Sequence, residues 1–277
     1  MRRQFLYILF LATIACSPKL KSNIEKVFAP LPQDVLIIVL DSPDDQSIIG
    51  EAVGEIEVKD GGFAVNCTYY ETILNLKEIA RHAGANVVKI IAHKLPDNRS
   101  SCHRIRAKIF KVANPKRYET QIEWSIDRKL TWNDFKGTPD TINFPNTLAL
   151  TNSGFGYESG ISMLKTGDVF VQSVFNTNES WVVTEGRNDY VLRHEQIHFD
   201  ITEIYSRKLR KELSDANVTS NNVIKAKPIF EKIFNEMEKR QAKYDRETQR
   251  GDKRETQENW EAIVEIELAK YNLYKSN

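Results

Sequence analysis

The residues with the most informative spacing for chemistry are two histidines with a glutamate beside the first, in the motif His194-Glu195-Gln196-Ile197-His198. On an α-helix, two residues four positions apart lie on one face, about 6 Å apart along the axis. Two imidazoles placed in this way can bind one metal ion, and the glutamate can reach a water molecule on that ion. The motif therefore predicts a zinc site with His194 and His198 as ligands and Glu195 as the catalytic base. The alternative is a helix whose two histidines form local hydrogen bonds at an interface.

The segment around this motif has the pattern of an amphipathic helix. Asn188 and Asp189 precede it as possible N-cap residues, and basic residues are concentrated near its C-terminal end, where the helix dipole favours cations. Its apolar residues recur at spacings of three and four, at Ile197, Ile201, Ile204, Tyr205, Leu209 and Leu213. The motif is therefore expected on a helix, as zinc binding requires.

Size and composition describe an ordinary globular protein. The chain has 277 residues, enough for one large domain or two smaller ones, and it is 41% hydrophobic and 28% charged. A net charge of +1 gives no reason to expect a nucleic-acid partner. The sequence contains no Gly-rich phosphate loop and no serine nucleophile elbow. It does not predict an oligomeric state.

The first sixteen residues resemble a bacterial lipoprotein signal peptide. Arg2 and Arg3 precede the apolar residues 5–11, a stretch too short to be a permanent membrane span, and residues 13–16 (Thr-Ile-Ala-Cys) resemble a lipobox. Cleavage would leave Cys16 as a lipidated N-terminus, anchoring the protein to a membrane of the bacterial cell envelope, at the outer membrane or the periplasmic face. Because Thr13 is less typical of such a box, secretion without a lipid is the alternative.

The rest of the chain predicts an α+β protein with two domains. Residues 17–33 would be a tether, residues 34–112 a small β-β-α-β-β domain and residues 113–120 a linker. The predicted strands of the small domain are 35–40, 51–58, 86–93 and 103–112, and its helix is 70–83.

The only cysteines apart from Cys16 lie in the small domain. An even number in an exported chain suggests a disulfide between Cys67 and Cys102. The alternative is two reduced and buried cysteines, because a domain of this size can form a core without a disulfide.

Residues 121–277 are expected to begin with an antiparallel sheet and to end in helices. The predicted strands are 122–130, 148–157, 168–175 and 180–183. The motif helix follows them, and residues 224–240 and 255–274 also have helical periodicity.

Several segments of this second domain, in order, resemble one known family. They are residues 122–137, 151–155, 180–182, 194–201 and 244–248, followed by Gln257 and Trp260. The chain is similar over about residues 120–265 to a bacterial secreted zinc-protease family catalogued as domain of unknown function 922. The resemblance implies a zincin-like domain and zinc-dependent cleavage of peptide bonds.

One residue departs from the family pattern, which has a histidine where this chain has Arg250. A guanidinium is always protonated in proteins and cannot coordinate zinc. The other three histidines, His82, His93 and His103, all lie in the first domain. The second domain therefore has no histidine left to serve as a third ligand.

A carboxylate is the remaining candidate for the third ligand. Asp200 and Glu203 on the motif helix are directed away from the histidine face. Asp245 lies in the segment 244–248 that resembles the family, and this resemblance makes it the better candidate. Asp245 could equally orient one imidazole by a hydrogen bond. Arg250 could also pair with Glu195 or Asp245, which would leave a site without metal.

An active site of this kind would hydrolyse a peptide or protein substrate. Glu195 would take a proton from water and pass it to the leaving amine. Tyr190, Tyr244 and Arg250 are candidate contacts for the substrate or the transition state, and strand 169–174 or 180–183 could hold an extended peptide. The alternative function is a catalytically inactive zincin-like binding or scaffold lipoprotein with a charged partner surface at residues 236–258.

Overall fold

The computed structural model describes residues 18–41, 47–61, 67–159 and 169–276, and the structural statements below refer to these residues. The predicted signal peptide and Cys16 lie outside them. The fold class is α+β, as predicted. Within the described ranges, no helix combines the length and the apolar character that crossing a membrane requires.

Residues 18–112 form a five-stranded mixed sheet with one helix packed on it. The elements are β1 (Lys19–Ile24), β2 (Ile38–Leu40), β3 (Glu51–Lys59), α1 (Tyr69–His82), β4 (Val87–Lys94) and β5 (Arg104–Lys111), with strand order β1-β3-β5-β4-β2. The helix begins with a capping box, in which Thr68 and Glu71 satisfy each other's backbone amides. Apolar side chains from the sheet and α1 form one core between them, including Val53, Ile56, Leu76, Ile90 and Ile109.

Strand β1 lies inside the segment predicted as a tether. Residues 19–24 pair antiparallel with β3 along their whole length and form one edge of the sheet. Five of these six residues are exposed, so the sequence has little of the alternation that marks a half-buried strand. Leu31 is also bound, because its amide donates to the carbonyl of Arg81 at 3.0 Å. This part of the predicted tether is therefore an edge strand and a packed loop.

The predicted disulfide between Cys67 and Cys102 is confirmed, and both cysteines are buried. Its sequence separation is 35 residues. In the chain-entropy account, closing a loop of this size stabilises the fold by about 3–4 kcal/mol. We expect replacement of both cysteines by alanine to lower the free energy of unfolding by about that amount, measured by urea denaturation. An unchanged midpoint would show that the bond contributes nothing to stability.

Residues 121–276 form the second part of the molecule. The strands are β6 (Gln121–Glu123), β7 (Ala149–Leu150), β8 (Ser153–Ser159), β9 (Val169–Asn176) and β10 (Trp181–Val182), and the helices are α2 (Asp189–Asp215), α3 (Ala226–Thr248) and α4 (Arg254–Lys270). A three-stranded antiparallel sheet, in the order β6-β9-β8, and a separate pair of β7 with β10 adjoin α2. Helices α3 and α4 pack against α2, so the motif helix is the centre of this part.

The first predicted strand of this part is much shorter than expected. It ends at Glu123 because the chain turns after Trp124, where Ser125 and Arg128 form an isolated bridge. The indole of Trp124 donates to the Asp200 carboxylate on α2 at 2.7 Å. Trp124 therefore fixes the start of this part to the motif helix.

The two parts meet at the N-terminus of α1. The Glu158 carboxylate on β8 accepts hydrogen bonds from the backbone amides of Tyr69 at 2.7 Å and Tyr70 at 3.2 Å. His103 Nε2 lies 3.7 Å from the same carboxylate. The amides at a helix N-terminus favour a negative charge, so this contact is electrostatically matched.

Candidate metal centre

Helix α2 carries both histidines of the motif. It begins after Asn188, whose side-chain oxygen accepts hydrogen bonds from the amides of Tyr190 and Val191. The helix is 27 residues long and buries its apolar face against the sheet, α3 and α4. This packing places His194 and His198 together at a cleft in the surface.

Asp245 comes from the C-terminal half of α3 and lies opposite the two histidines. Its Oδ1 is 3.3 Å from His194 Nε2 and 3.0 Å from His198 Nε2, and the two nitrogens are 3.2 Å apart. The neighbouring Tyr244 is fully buried and its ring stacks on His194 at 4.6 Å. Tyr244 therefore fixes the rotation of α3 that brings Asp245 to the imidazoles.

Two glutamines fix the tautomers of these imidazoles. Gln241 Oε1 lies 2.7 Å from His198 Nδ1, while its Nε2 donates to the backbone carbonyl of His198 at 2.8 Å. Gln257 Oε1 lies 3.3 Å from His194 Nδ1, while its Nε2 donates to the carbonyl of Tyr190 at 3.3 Å. Because each amide nitrogen must face a carbonyl, each amide oxygen accepts from Nδ1–H. Both Nε2 atoms are then left with lone pairs toward Asp245.

This arrangement needs a positive charge at its centre. Two Nε2 lone pairs and a carboxylate oxygen converge, and three acceptors repel one another unless a cation or a proton lies between them. Burial lowers the pKa of His198, but Asp245 outweighs burial and raises it above the ordinary value. Burial raises the pKa of Asp245, but where protons on Nε2 supply the positive charge, hydrogen bonds from the two histidines hold this pKa well below the usual range.

His194, His198 and Asp245 could therefore hold a metal ion. One ligand atom from each lies within 4.8 Å of the others, and this is the only such group within the described ranges. Three protein ligands with nitrogen and oxygen donors fit the donor set of a catalytic zinc site. Asp245 remains partly accessible, with 42% of its side chain exposed, so the site has an open side toward the cleft.

The two glutamines give a prediction about affinity. Replacing Gln241 by methionine removes the acceptor that fixes His198, and loss of such an outer partner weakens metal binding by about 10–100-fold. The matched control is Gln249→Met, because Gln249 also lines the cleft but contacts neither imidazole. Zinc affinity can be measured by competition with a chromophoric chelator. Equal affinity of the two variants would show that Gln241 does not orient the ligand.

The Glu195 carboxylate faces the same cleft. Glu195 is only 4% exposed, and its side chain forms no hydrogen bond or ion pair with any described residue. The cleft has a volume of ≈ 790 Å³ and lies between residues 144–153, α2 and residues 237–252. Thr151 Oγ1 donates a hydrogen bond to the backbone carbonyl of Glu195 at 3.3 Å. This bond connects residues 144–153, on one side of the cleft, to helix α2.

Arg250 lies at the mouth of the cleft and is exposed. Its φ is 56°, in the left-handed region, and its amide donates to the carbonyl of Asp245 at 2.8 Å. Its guanidinium forms no ion pair with Glu195, Asp245 or any other carboxylate in the described part of the chain. The arginine therefore does not fill the position between the histidines, which Asp245 occupies.

The two tyrosines proposed as substrate contacts have different surroundings. Tyr190 lines the cleft, but its hydroxyl donates to the carbonyl of Gly251 at 2.5 Å. Tyr244 does not line the cleft, and burial, together with the charge of Glu195, raises its pKa. The structure therefore gives Tyr244 a packing role beneath the histidines.

The remaining acidic residues of the motif helix serve its packing. Asp200 accepts from Trp124, and Glu203 pairs with Arg207 at 2.8 Å and Arg210 at 3.1 Å. Neither approaches the histidine pair, as their positions on the helix predict. The role of Gln241 was missed from the sequence, although its place four residues before Asp245 puts both on one face of α3.

The model of a known protein family matches part of the chain. Residues 176–252 match the family model described as "Bacterial protein of unknown function (DUF922)". Comparison with curated proteins and with solved structures gives no significant match. The matched segment contains the motif helix, Asp245 and Arg250, so the match supports the resemblance to this family where the candidate metal centre lies.

Proposed function

We propose that the protein is a zinc-dependent metallopeptidase of the bacterial cell envelope. The observation that carries this proposal is the convergence of His194, His198 and Asp245 beside Glu195 in an open cleft. These three residues would hold the zinc ion, which would supply Lewis acidity and would lower the pKa of a water molecule toward about 7.

Glu195 acts as the general base and then the general acid. Its carboxylate takes a proton from the attacking water and passes it to the amine that leaves. No residue that the structure describes forms a hydrogen bond or ion pair with this side chain, so none competes with the water or the amine for it. The two glutamines keep the imidazoles in the tautomer that leaves Nε2 unprotonated.

Strand β7 is the part of the cleft that suits an extended peptide. Ala149, Leu150 and Thr151 line the cleft, and β7 pairs with β10 on one side only within the described residues. The carbonyl of Leu148 accepts a hydrogen bond from the amide of Val183, so the backbone groups of Leu148 face β10. Backbone groups of successive residues in a strand face opposite edges, so the amide and carbonyl of Ala149 face away from β10. A peptide added along this edge would pass Glu195.

The two strands predicted from the sequence to hold an extended peptide, 169–174 and 180–183, are less suitable than β7. Strand β9 pairs with β8, and its carbonyls at Val171 and Ser173 accept from Arg210 and Trp124. Strand β10 pairs with β7 and does not line the cleft.

Export and lipid attachment at Cys16 complete the proposal, with secretion without a lipid as the alternative. The sequence of the first sixteen residues supports them.

A catalytically inactive binding lipoprotein is the second candidate function. The reason to consider it was that Arg250 could occupy the metal site. In the structure Arg250 is exposed, and Asp245 is the residue beside the two histidines. The first candidate is therefore favoured.

Metal content tests the proposal. Protein purified without chelators should contain about one zinc ion per chain, and His194→Ala should contain almost none, because one of three ligands is lost. The measurement is elemental analysis, accompanied by hydrolysis of a mixture of unstructured peptides followed by mass spectrometry. Zinc-free wild-type protein that also fails to take up added zinc would leave the binding lipoprotein as the function.

A further inference from the structure

One face of the five-stranded sheet is strongly basic at one end. The side chains of residues directly opposite each other in paired strands lie on the same face. In the strand register, Lys19 on β1 lies opposite Lys59 on β3, and Lys94 on β4 lies opposite Arg104 on β5. Because β3 and β5 are neighbours, these two cross-strand pairs lie side by side. We call this set of four residues the basic row.

Further positive charges extend the basic row along the same face. Lys21 lies opposite Glu57 in the strand register, and Glu57 lies opposite Arg106 on its other side. Lys108 lies opposite Glu55. The face therefore carries an excess of positive charge in a chain whose net charge is only +1. Charge is thus distributed unevenly over the molecule, although the total is nearly balanced.

Much of this charge has no carboxylate partner among the residues that the structure describes. Lys59 pairs with Glu57 at 2.9 Å, and Arg104 pairs with Asp97 at 2.8 Å. In contrast, Lys19, Lys21, Lys94 and Arg106 are exposed and have no carboxylate within 4 Å in the described part of the chain. At the opposite end of the same face, Tyr118 packs on the sheet in a small apolar cluster with Val87. The uncovered end is therefore the basic one.

The basic row lies where the chain enters the sheet. Strand β1 begins at Lys19, only three residues after Cys16. Three residues span at most about 10 Å, which is close to the Debye length at physiological salt. A lipid on Cys16 would therefore hold the basic row within the electrostatic field of the membrane surface.

We propose that the basic row and its extension dock on a bilayer surface that carries anionic lipid headgroups. The proposal rests on the lipid attachment proposed at Cys16 and is independent of peptidase activity. Each lysine or arginine near an anionic bilayer raises partitioning by roughly fivefold, so several together hold the sheet against the membrane. The lipid then serves as the anchor, and the sheet face fixes the orientation of the protein.

Vesicle flotation tests this proposal with residues 17–277, so that neither the apolar signal peptide nor a lipid on Cys16 contributes to binding. The probes are phosphatidylcholine vesicles with and without phosphatidylglycerol, at low and high salt. The test variant is Lys19→Gln, Lys21→Gln and Lys94→Gln. The matched control, Lys239→Gln, Lys253→Gln and Lys275→Gln, removes the same charge from exposed positions elsewhere. Circular dichroism confirms that both variants are folded.

We expect the parent protein to bind anionic vesicles more tightly than neutral ones, with the difference lost at high salt. The test variant should bind anionic vesicles at least about tenfold more weakly, whereas the control variant should lose less than about twofold. Equal losses in the two variants would overturn the proposal. So would equal binding to both kinds of vesicle, or binding to soluble polyanions without binding to anionic vesicles.

Discussion

Replacing Glu195 by glutamine should abolish peptide hydrolysis while zinc remains bound. A glutamine has nearly the same shape but cannot accept the proton from water, and loss of a general base costs roughly 10²–10⁴-fold in rate. The three metal-binding residues are unchanged, so the zinc content should equal that of the wild type. The measurements are peptide hydrolysis by mass spectrometry and zinc by elemental analysis on the same preparation.

The matched control for this variant is Glu212→Gln on the same helix. Glu212 is partly exposed near the end of α2 and lies 3.9 Å from Lys232, outside the cleft. It should hydrolyse peptides at the wild-type rate. If the Glu195 variant keeps its activity, Glu195 is not the base. If it loses its zinc as well, the residue maintains the metal centre and the experiment does not support proton transfer.

Replacing Asp245 by alanine should remove most of the metal affinity, whereas replacing Arg250 by alanine should leave it unchanged. Asp245 lies within 3.3 Å of both Nε2 atoms, while the Arg250 side chain is exposed at the mouth of the cleft. Losing one of three ligands should weaken zinc binding by more than about 100-fold, a larger effect than loss of an outer hydrogen bond. Chelator competition measures both affinities.

This pair of variants separates three accounts of a site that has only two histidines. If Asp245 is the third ligand, only the first variant loses zinc. If Asp245 only orients one imidazole, the Asp245→Ala loss stays within about 10–100-fold. If Arg250 blocks the centre of the site, its replacement by alanine should raise zinc affinity. Asp245 is partly exposed, so its substitution is not expected to disturb folding, and thermal unfolding checks this.

Long periodic elements and local motifs could be predicted from the sequence. The motif helix, the helix of the first part and strand β3 agree with the predictions to within about two residues, which is the usual uncertainty of a helix or strand end. The disulfide followed from an even cysteine count. Asp245 was identified because it lies in the segment 244–248 that resembles the family, while the geometry of α2 directs Asp200 and Glu203 elsewhere.

The remaining features depend on contacts between distant segments. Strand β1 is almost wholly exposed, so only its pairing with β3 reveals it. Strand β7 has two residues, too few for any alternation to be visible. Gln257 reaches His194 from α4, across 63 residues of chain, and a single sequence contains no signal for such a contact. The basic row likewise requires the register of four strands.

The contact between Glu158 and the start of α1 affects how the protein can be divided for experiments. Strand β8 begins beside the cleft at Ser153, and near its other end is Glu158, whose carboxylate accepts hydrogen bonds from the amides of Tyr69 and Tyr70. A truncated protein starting at the linker would leave this half-buried carboxylate without those donors. Because the same strand adjoins the cleft, loss of the proposed activity after truncation would not show that the N-terminal part takes part in catalysis.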